Sequence, residues 1–412
     1  LSLYHQSLSI LRDLFGYIHP YFASSLNNLA LLYRAQGRYG EAEPLFQQAL
    51  SILRGQLGNN HPNVASNLNN LAALFLFQER YSEAEPLFQQ SIAIYREQLG
   101  DSHPDVANSL NNLALLYQAQ GDIVQGIAVF QDGLAIEEWN LETNLTTLTE
   151  TQRQNYAATL SGSTNRAISL SLQATEVHSL GLTTLLRRKG RLLDAGSSSL
   201  QRLRQNLTIE DQVVLDELVT VRQQLATLTF NPPANLSAQE YRGRLAQLEA
   251  EANELEKALA QRSALFAAEA EPVDIKTVQA QMPSDGVLVE YVRYRPFDAQ
   301  AVHFGAPRYA AYLLFPDGRI EAIDLGDAAE IDAAVQAFTR LIQTPGADLQ
   351  RTSAAPAIRP DVVERVTENI QTLVFDPLTP YLQDVDHLLI SPDSQLNRLP
   401  FEALQPETGG DY

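Results

Sequence analysis

Three histidines recur at a fixed interval: His19-Pro20, His61-Pro62 and His103-Pro104 are 42 residues apart. Imidazoles ligate metals, with metal–nitrogen bonds of ~2 Å. Packed helices lie ~8–10 Å apart, so equivalent positions in successive repeats are too distant for one ion to bridge. The histidines are therefore read as loop residues, with no metal and no cofactor expected. Asparagine pairs share the interval: Asn27-Asn28, Asn69-Asn70 and Asn111-Asn112. An amide both donates and accepts, so such a row can hold an extended peptide backbone without reading its sequence. The competing role is that one asparagine of each pair satisfies nearby backbone. A basic cluster stands at Arg187-Arg188-Lys189-Gly190-Arg191, flanked by Leu185, Leu186, Leu192 and Leu193. Without interleaved aromatics it is a poor nucleic-acid site. Its glycine follows the lysine, and no P-loop framework precedes it. It reads as a helix edge that docks on acidic neighbours. Covalent chemistry finds no carrier: the chain has no cysteine, and G-x-S-x-G, H-E-x-x-H, G-x-G-x-x-G and Walker patterns are absent.

The whole chain narrows the field further. Its 412 residues are 45% hydrophobic and 19% charged, which is a folded composition. A formal charge of −20 opposes general binding to nucleic acid or anionic membrane. No apolar run reaches the ~18 residues of a membrane span, and no leader is visible at Leu1, so a cytoplasmic chain is expected. The sequence does not begin with Met, and its one Met is Met282; a fragment of a longer protein is expected.

The fixed period means stacked repeats. Glu41-Ala42-Glu43-Pro44-Leu45-Phe46 returns unchanged as Glu83 to Phe88. Leu26, Leu29, Ala30 and Tyr33 follow the i, i+3, i+4, i+7 pattern of a helix that starts near His-Pro. A Gln36-to-Tyr39 turn leads to a second helix over about 40–57, with Ala42, Phe46, Ala49 and Ile52 or Leu53 inward. Gly58 suits a left-handed cap. This spacing resembles the tetratricopeptide repeat, and the 42-residue period resembles its kinesin-light-chain variety. The resemblance implies an α-solenoid over residues 1–140, of about three repeats plus a partial one. It also implies a concave groove that takes a protein or peptide partner. The implied lining is Ser24, Asn27, Asn28, Leu31 and Arg34, then Ser66, Asn69, Asn70, Ala73 and Leu76, then Asn108, Asn111, Asn112, Leu115 and Gln118. With Arg34 as its one cation, that lining is unsuited to capturing a terminal carboxylate.

Residues 141–272 read as a helical connector. Val214, Leu218, Val221, Leu225 and Leu228 are spaced as one apolar stripe, Asn231-Pro232-Pro233 interrupts it, and Ser237 with Glu240 matches a capping box. Leu245, Leu248, Ala252, Leu255 and Leu259 form a second stripe. The pattern predicts an antiparallel, coiled-coil-like helical hairpin over about 207–266.

Residues 273–412 read as α/β. Strands are predicted at Gly286–Tyr294, Arg308–Phe315, Arg319–Leu325 and His387–Ser391. Helices are predicted at Ala328–Leu341 and Val362–Phe375, with a short one from Asp376 to about Leu382 and a hairpin tip at Pro406–Tyr412. Arg188-Lys189-Gly190-Arg191-x-Leu193-Asp194, then Leu288-Val289-Glu290-Tyr291, then Leu388-Leu389-Ile390-Ser391-Pro392-Asp393 and Leu399-Pro400-Phe401-Glu402-Ala403-Leu404 resemble the CHAT family. These are caspase-like domains found beside tetratricopeptide repeats in bacteria. The resemblance implies the N-terminal part of such a domain, truncated before its catalytic His and Cys. It implies a parent that is a cysteine peptidase activated by a bound partner. No catalytic residue transfers: no cysteine exists, and His387 precedes the first core strand. The residues given are thus expected not to be an enzyme by themselves, and Asp393–Phe401 is expected near the carboxyl end of the sheet. The alternative is a non-enzymatic repeat scaffold, complete as it stands.

Overall fold

The computed structural model describes residues 2–145, 150–196, 207–230, 236–262, 273–343, 360–383 and 385–401. The chain divides into two compact units, residues 1–158 with 191–271 and residues 159–190 with 272–412. The expected connector is therefore shared out: its hairpin goes with the repeats, and residues 159–190 go with the sheet. The predicted tip at Pro406–Tyr412 and the Asn231-Pro232-Pro233 break lie outside the described residues.

In the first unit, α1 (Ser2–Phe15) precedes three helix pairs: α2 (Pro20–Ala35) with α3 (Tyr39–Leu57), α4 (Pro62–Phe77) with α5 (Tyr81–Leu99), and α6 (Pro104–Ala119) with α7 (Ile123–Leu145). Each first helix begins at the proline of a His-Pro pair, because proline's fixed φ suits that position and it lacks only an N–H that would be orphaned anyway. Each second helix buries a phenylalanine completely: Phe46, Phe88 and Phe130 are all 0% exposed and 42 residues apart. In the first two pairs the turn between the helices is held by an arginine. Arg80 stacks on Phe75 at 4.0 Å and pairs with Glu83 and Glu43, both at 2.8 Å. Arg38 repeats this on Tyr33 and Glu41. Gly58 and Gly100 end the second helices at φ +84° and +96°, as expected of glycine, but with ψ of 168° and 160°. The chain thus leaves the helix extended rather than in a left-handed cap, in a region only glycine reaches without strain.

The hairpin joins this unit as α10 (Ile209–Phe230) and α11 (Ala238–Arg262), following α8 (Glu150–Ser171) and α9 (His178–Gly196). Leu215, Leu218, Val221, Leu225 and Leu228 interdigitate with Tyr241, Leu245, Leu248, Ala252 and Leu259. Leu215, not Val214, is the fully buried residue of the first turn. The capping box forms: Ser237 N–H donates to Glu240 at 2.9 Å, and Glu240 N–H donates to the Ser237 hydroxyl at 3.3 Å. Arg222 to Glu256 and Arg262 to Asp211 fix the antiparallel register. Leu99 packs on the hairpin core, and Leu245 lies beside Gly100.

The second unit has a four-stranded sheet ordered β5-β4-β1-β6. Its strands are β1 (Gly286–Tyr294), β4 (Arg308–Leu314), β5 (Ile320–Asp327) and β6 (His387–Ser391). A two-residue ribbon, β2 (Phe297–Asp298) with β3 (His303–Phe304), lies in the loop after β1. β1 runs parallel to β6, while β1–β4 and β4–β5 are antiparallel. Helices cover both faces, which is why β1 reads as a nearly continuous apolar run. Val287, Val289 and Tyr291 face α13 (Ala328–Gln343) and α14 (Pro360–Val374). Leu288, Val292 and Tyr294 face α8, α9 and the short α12 (Ile275–Gln281).

Candidate functional site

The histidines cap helices. Nδ1 of His19, His61 and His103 accepts the N–H two residues on, from Tyr21, Asn63 and Asp105, at 3.1–3.2 Å. One of the orphan donors at each helix start is thereby satisfied. Among the described residues, no group of three or more His, Asp or Glu is placed to hold a metal ion. Burial lowers the pKa of His61, and it lowers that of His103 against the opposing pull of Asp105. The unfolded chain therefore takes up these protons first, near pH ~6.5. Stability is full above that value and falls as pH drops through the depressed folded values. Replacing His61 and His103 with asparagine, which caps well, is expected to flatten the dependence of the thermal midpoint on pH between about 7 and 5. Equal slopes in the two proteins would refute this.

The asparagines zip one repeat to the next. Asn27 Oδ1 accepts from Asn70 at 3.1 Å and from Asn67 at 3.2 Å. Asn69 Oδ1 accepts from Asn112 at 3.2 Å, and Asn111 donates to Glu137 at 2.7 Å. The first asparagine of one repeat thus receives the second asparagine of the next. At Asn27 and Asn69 the acceptor side of the expected peptide clamp is already used within the chain. The Nδ2 groups of Asn27 and Asn69 donate to no group among the described residues, so two donors remain, while Asn111 spends its own on Glu137.

The predicted lining is not one open surface. Ser24, Asn28 and Asn108 are exposed, whereas Asn27, Leu31, Arg34, Ser66, Asn70 and Asn112 are half-buried. Asn69, Ala73, Leu76, Asn111, Leu115 and Gln118 are buried. At the third repeat the reason is local. Gly126 and Gly133 of α7 stand where the second repeat has Ala84 and Ser91. A Cβ at Gly133 would collide with Asn111, and one at Gly126 would collide with Gln118. The two glycines therefore let α7 press onto two residues expected to line the groove. Arg34 lies over Phe77 at 5.6 Å.

In the second unit, polar groups gather at the carboxyl end of the parallel pair β1/β6. Ser391 is the register partner of Glu290, and Lys189 on α9 reaches both. Its Nζ donates to Glu290 at 2.5 Å, to Ser391 Oγ at 2.9 Å and to the Pro392 carbonyl at 2.9 Å. Glu290 is 3% exposed. Burial pushes its carboxyl above the usual range, and Lys189 pulls it back. The neighbouring Arg188 donates to the Leu160 carbonyl and to the hydroxyls of Ser163 and Thr164. Arg188 and Lys189 of the basic cluster thus dock on polar and acidic neighbours, as expected of a helix edge. Next to it, Asp393 accepts the N–H of Arg293 at 2.8 Å, and the Tyr309 hydroxyl donates to Asp332 at 2.8 Å. The loop from Asp393 therefore leaves the strand end where expected. His387 stands at the opposite end of β6, exposed and 3.2 Å from Asp285. Sequence reading did not single out Glu290 or Ser391; one charged residue inside an otherwise apolar strand was the available signal.

The tetratricopeptide-repeat family matches residues 1–54, 21–97 and 82–138. Residues 1–138 are a tetratricopeptide-repeat array. Among solved structures, BtubC (BKLC) from P. vanneervenii is 23% identical, covering 48% of this chain and 73% of its own, with a TM-score of 0.37. A Podosopora anserina protein described as a kinesin light chain of nearly identical TPR-like repeats is 22% identical, covering 57% and 97%, with a TM-score of 0.30. At such scores these likenesses carry no argument, and the assignment rests on the family match. No curated protein matches the sequence. Repeats of this family are generally protein-interaction modules. Among the described residues, no helix is long and apolar enough to cross a membrane.

Proposed function

We propose that the repeat array binds a protein or peptide partner across α2, α4 and α6 and thereby regulates a caspase-like CHAT domain whose N-terminal part is the second unit. The observation that carries this reading is the Lys189 cluster. Its three members come from the three separate motifs that suggest the family: the Arg188–Asp194 helix, the Leu288–Tyr291 strand and the Leu388–Asp393 strand. The 412 residues hold no cysteine, so the thiolate nucleophile of that chemistry would be carried by further sequence of a parent peptidase. A native mass well above 45.6 kDa together with partner-dependent, thiol-sensitive peptidase activity is the expected result. A native mass equal to 45.6 kDa would leave the scaffold reading.

Partner binding is tested on the full chain with a library of acetylated, amidated dodecapeptides. Asn27→Ala with Asn69→Ala is expected to weaken groove ligands about ten-fold, the worth of one or two hydrogen bonds. Unchanged affinity for every ligand would sink the groove.

A further inference from the structure

The first His-Pro loop differs from the other two in its side chains. It carries Tyr17, Ile18 and Tyr21, where the second repeat has Asn59, Asn60 and Asn63 and the third has Asp101, Ser102 and Asp105. Small polar residues suit a turn because they bond to its backbone; large apolar ones need another reason. Leu14, Phe15, Tyr17, Ile18 and Tyr21 are 45–69% exposed, and no charged side chain occurs from Leu14 to Phe22. A contiguous exposed apolar patch, unlike single exposed residues, marks an interaction surface. The rings brace one another. Phe15 stacks on His19 at 4.7 Å and meets Tyr21 edge-on at 5.8 Å, while Tyr17 meets Phe22 edge-on at 5.6 Å. The patch is therefore ordered before a partner arrives, which lowers the entropy cost of docking.

The third repeat shows what such a loop receives. Leu99, Gly100 and His103 stand two periods after Phe15, Gly16 and His19, and all three meet the hairpin. Leu99 packs on its core, Gly100 lies beside Leu245, and the His103 ring meets Tyr241 edge-on at 6.4 Å. Tyr241 and Leu245 are about one turn apart on α11, so the third loop seats one face of a helix. The first loop offers the same three positions with more apolar neighbours, yet its Phe15 is left exposed. Charge narrows the occupant. The chain carries −20, which repels a second copy and an anionic membrane at long range. Neither a neutral nor a basic partner is opposed in this way.

We propose that the first His-Pro loop docks a helix of another protein, neutral or basic, with an aromatic and an aliphatic side chain at i and i+4. The aromatic residue packs on His19 and Tyr21, as Tyr241 does on His103. The aliphatic residue lies over Gly16 beside Phe15, as Leu245 does at Gly100. This surface stands whether or not the α2/α4/α6 face binds.

The test measures binding of the full chain to capped synthetic amphipathic helices, neutral to basic, that carry tyrosine or tryptophan and leucine at i and i+4. The triple change Tyr17→Asn, Ile18→Asn and Tyr21→Asn gives this loop the residues of the second loop, which the repeat already accommodates. Helices that bind the wild type are expected to weaken about thirty-fold in the triple variant and about five-fold in Ile18→Asn alone, as for central interface residues. They should be indifferent to Asn27→Ala with Asn69→Ala. Binding by no helix, or equal affinities in wild type and triple variant, would overturn the proposal. So would a lowered thermal midpoint in the triple variant with Ile18→Asn at wild-type affinity, which would make the cluster structural. Helices weakened by the asparagine changes and not by the loop changes would belong to the groove and overturn it as well. A concentration-dependent dimer that the triple change abolishes would assign the surface to a second copy instead. Flotation with phosphatidylcholine vesicles, abolished by the same change, would assign it to a lipid surface.

Discussion

Replacing Lys189 with methionine is expected to destabilise the second unit by about 3–5 kcal/mol, the cost of stranding one member of a buried ion pair. Glu290 is 3% exposed and sits on the α9-facing side of a central strand, with apolar neighbours Leu288 and Val292 on that face. Lys189 is its counter-ion and also bonds Ser391 and Pro392. Removing the lysine leaves a carboxylate with no charge partner in a low-dielectric site and frees two acceptors. Glu290→Gln should cost much less. Its carboxyl is already displaced upward by burial, so a neutral amide resembles the form that the site tolerates. The double change Lys189→Met with Glu290→Gln should recover a large part of the loss, because both charges leave together. Hydrogen exchange of β1 and β6 amides reads this directly. Additive single effects would mean that the two residues do not act as a pair.

Truncating Phe88 to alanine is expected to cost about 3–5 kcal/mol in the first unit, the range for large buried aromatics. Phe88 is 0% exposed and fills the middle repeat. In a solenoid each repeat is stabilised chiefly by its neighbours, so a cavity in the centre weakens the interfaces on both sides. Trp139, the one tryptophan, lies in α7 and reports on this unit by fluorescence. Its urea midpoint should fall sharply. Phe46→Ala, nearer the end of the array, should cost less because fewer interfaces depend on it. A smaller loss at Phe88 than at Phe46 would contradict the repeat picture.

How far the sequence alone reached can be followed residue by residue. The 42-residue period, the helix pairs and the capping box at Ser237 and Glu240 rest on spacings of three to seven residues or on exact recurrence. Strands β1 and β6 were readable to the residue, because a nearly continuous apolar run between turn residues has few other solutions. The repeat also pointed to the asparagines, but not to their partners. Asn27 meets Asn70, and Asn69 meets Asn112, only because stacking sets the rotation of one helix against the next. Gly126 and Gly133 look like ordinary substitutions for Ala84 and Ser91 until the closer approach of α7 shows what they admit.

The same division holds in the second unit. Local pattern made the Arg187–Arg191 segment a helix edge with apolar flanks and Gly286–Tyr294 a strand, without singling out Glu290 within it. Lys189, Glu290 and Ser391 are separated by about a hundred residues at each step, so no local pattern could join them. Folding joined them, because burying Glu290 between sheet and helix leaves a carboxylate that only a cation from the covering helix can satisfy. Sequence determined the elements and their caps through short-range sterics and hydrogen bonding. Tertiary structure decided which polar groups met, since that depends on how helices covered the sheet and how repeats stacked.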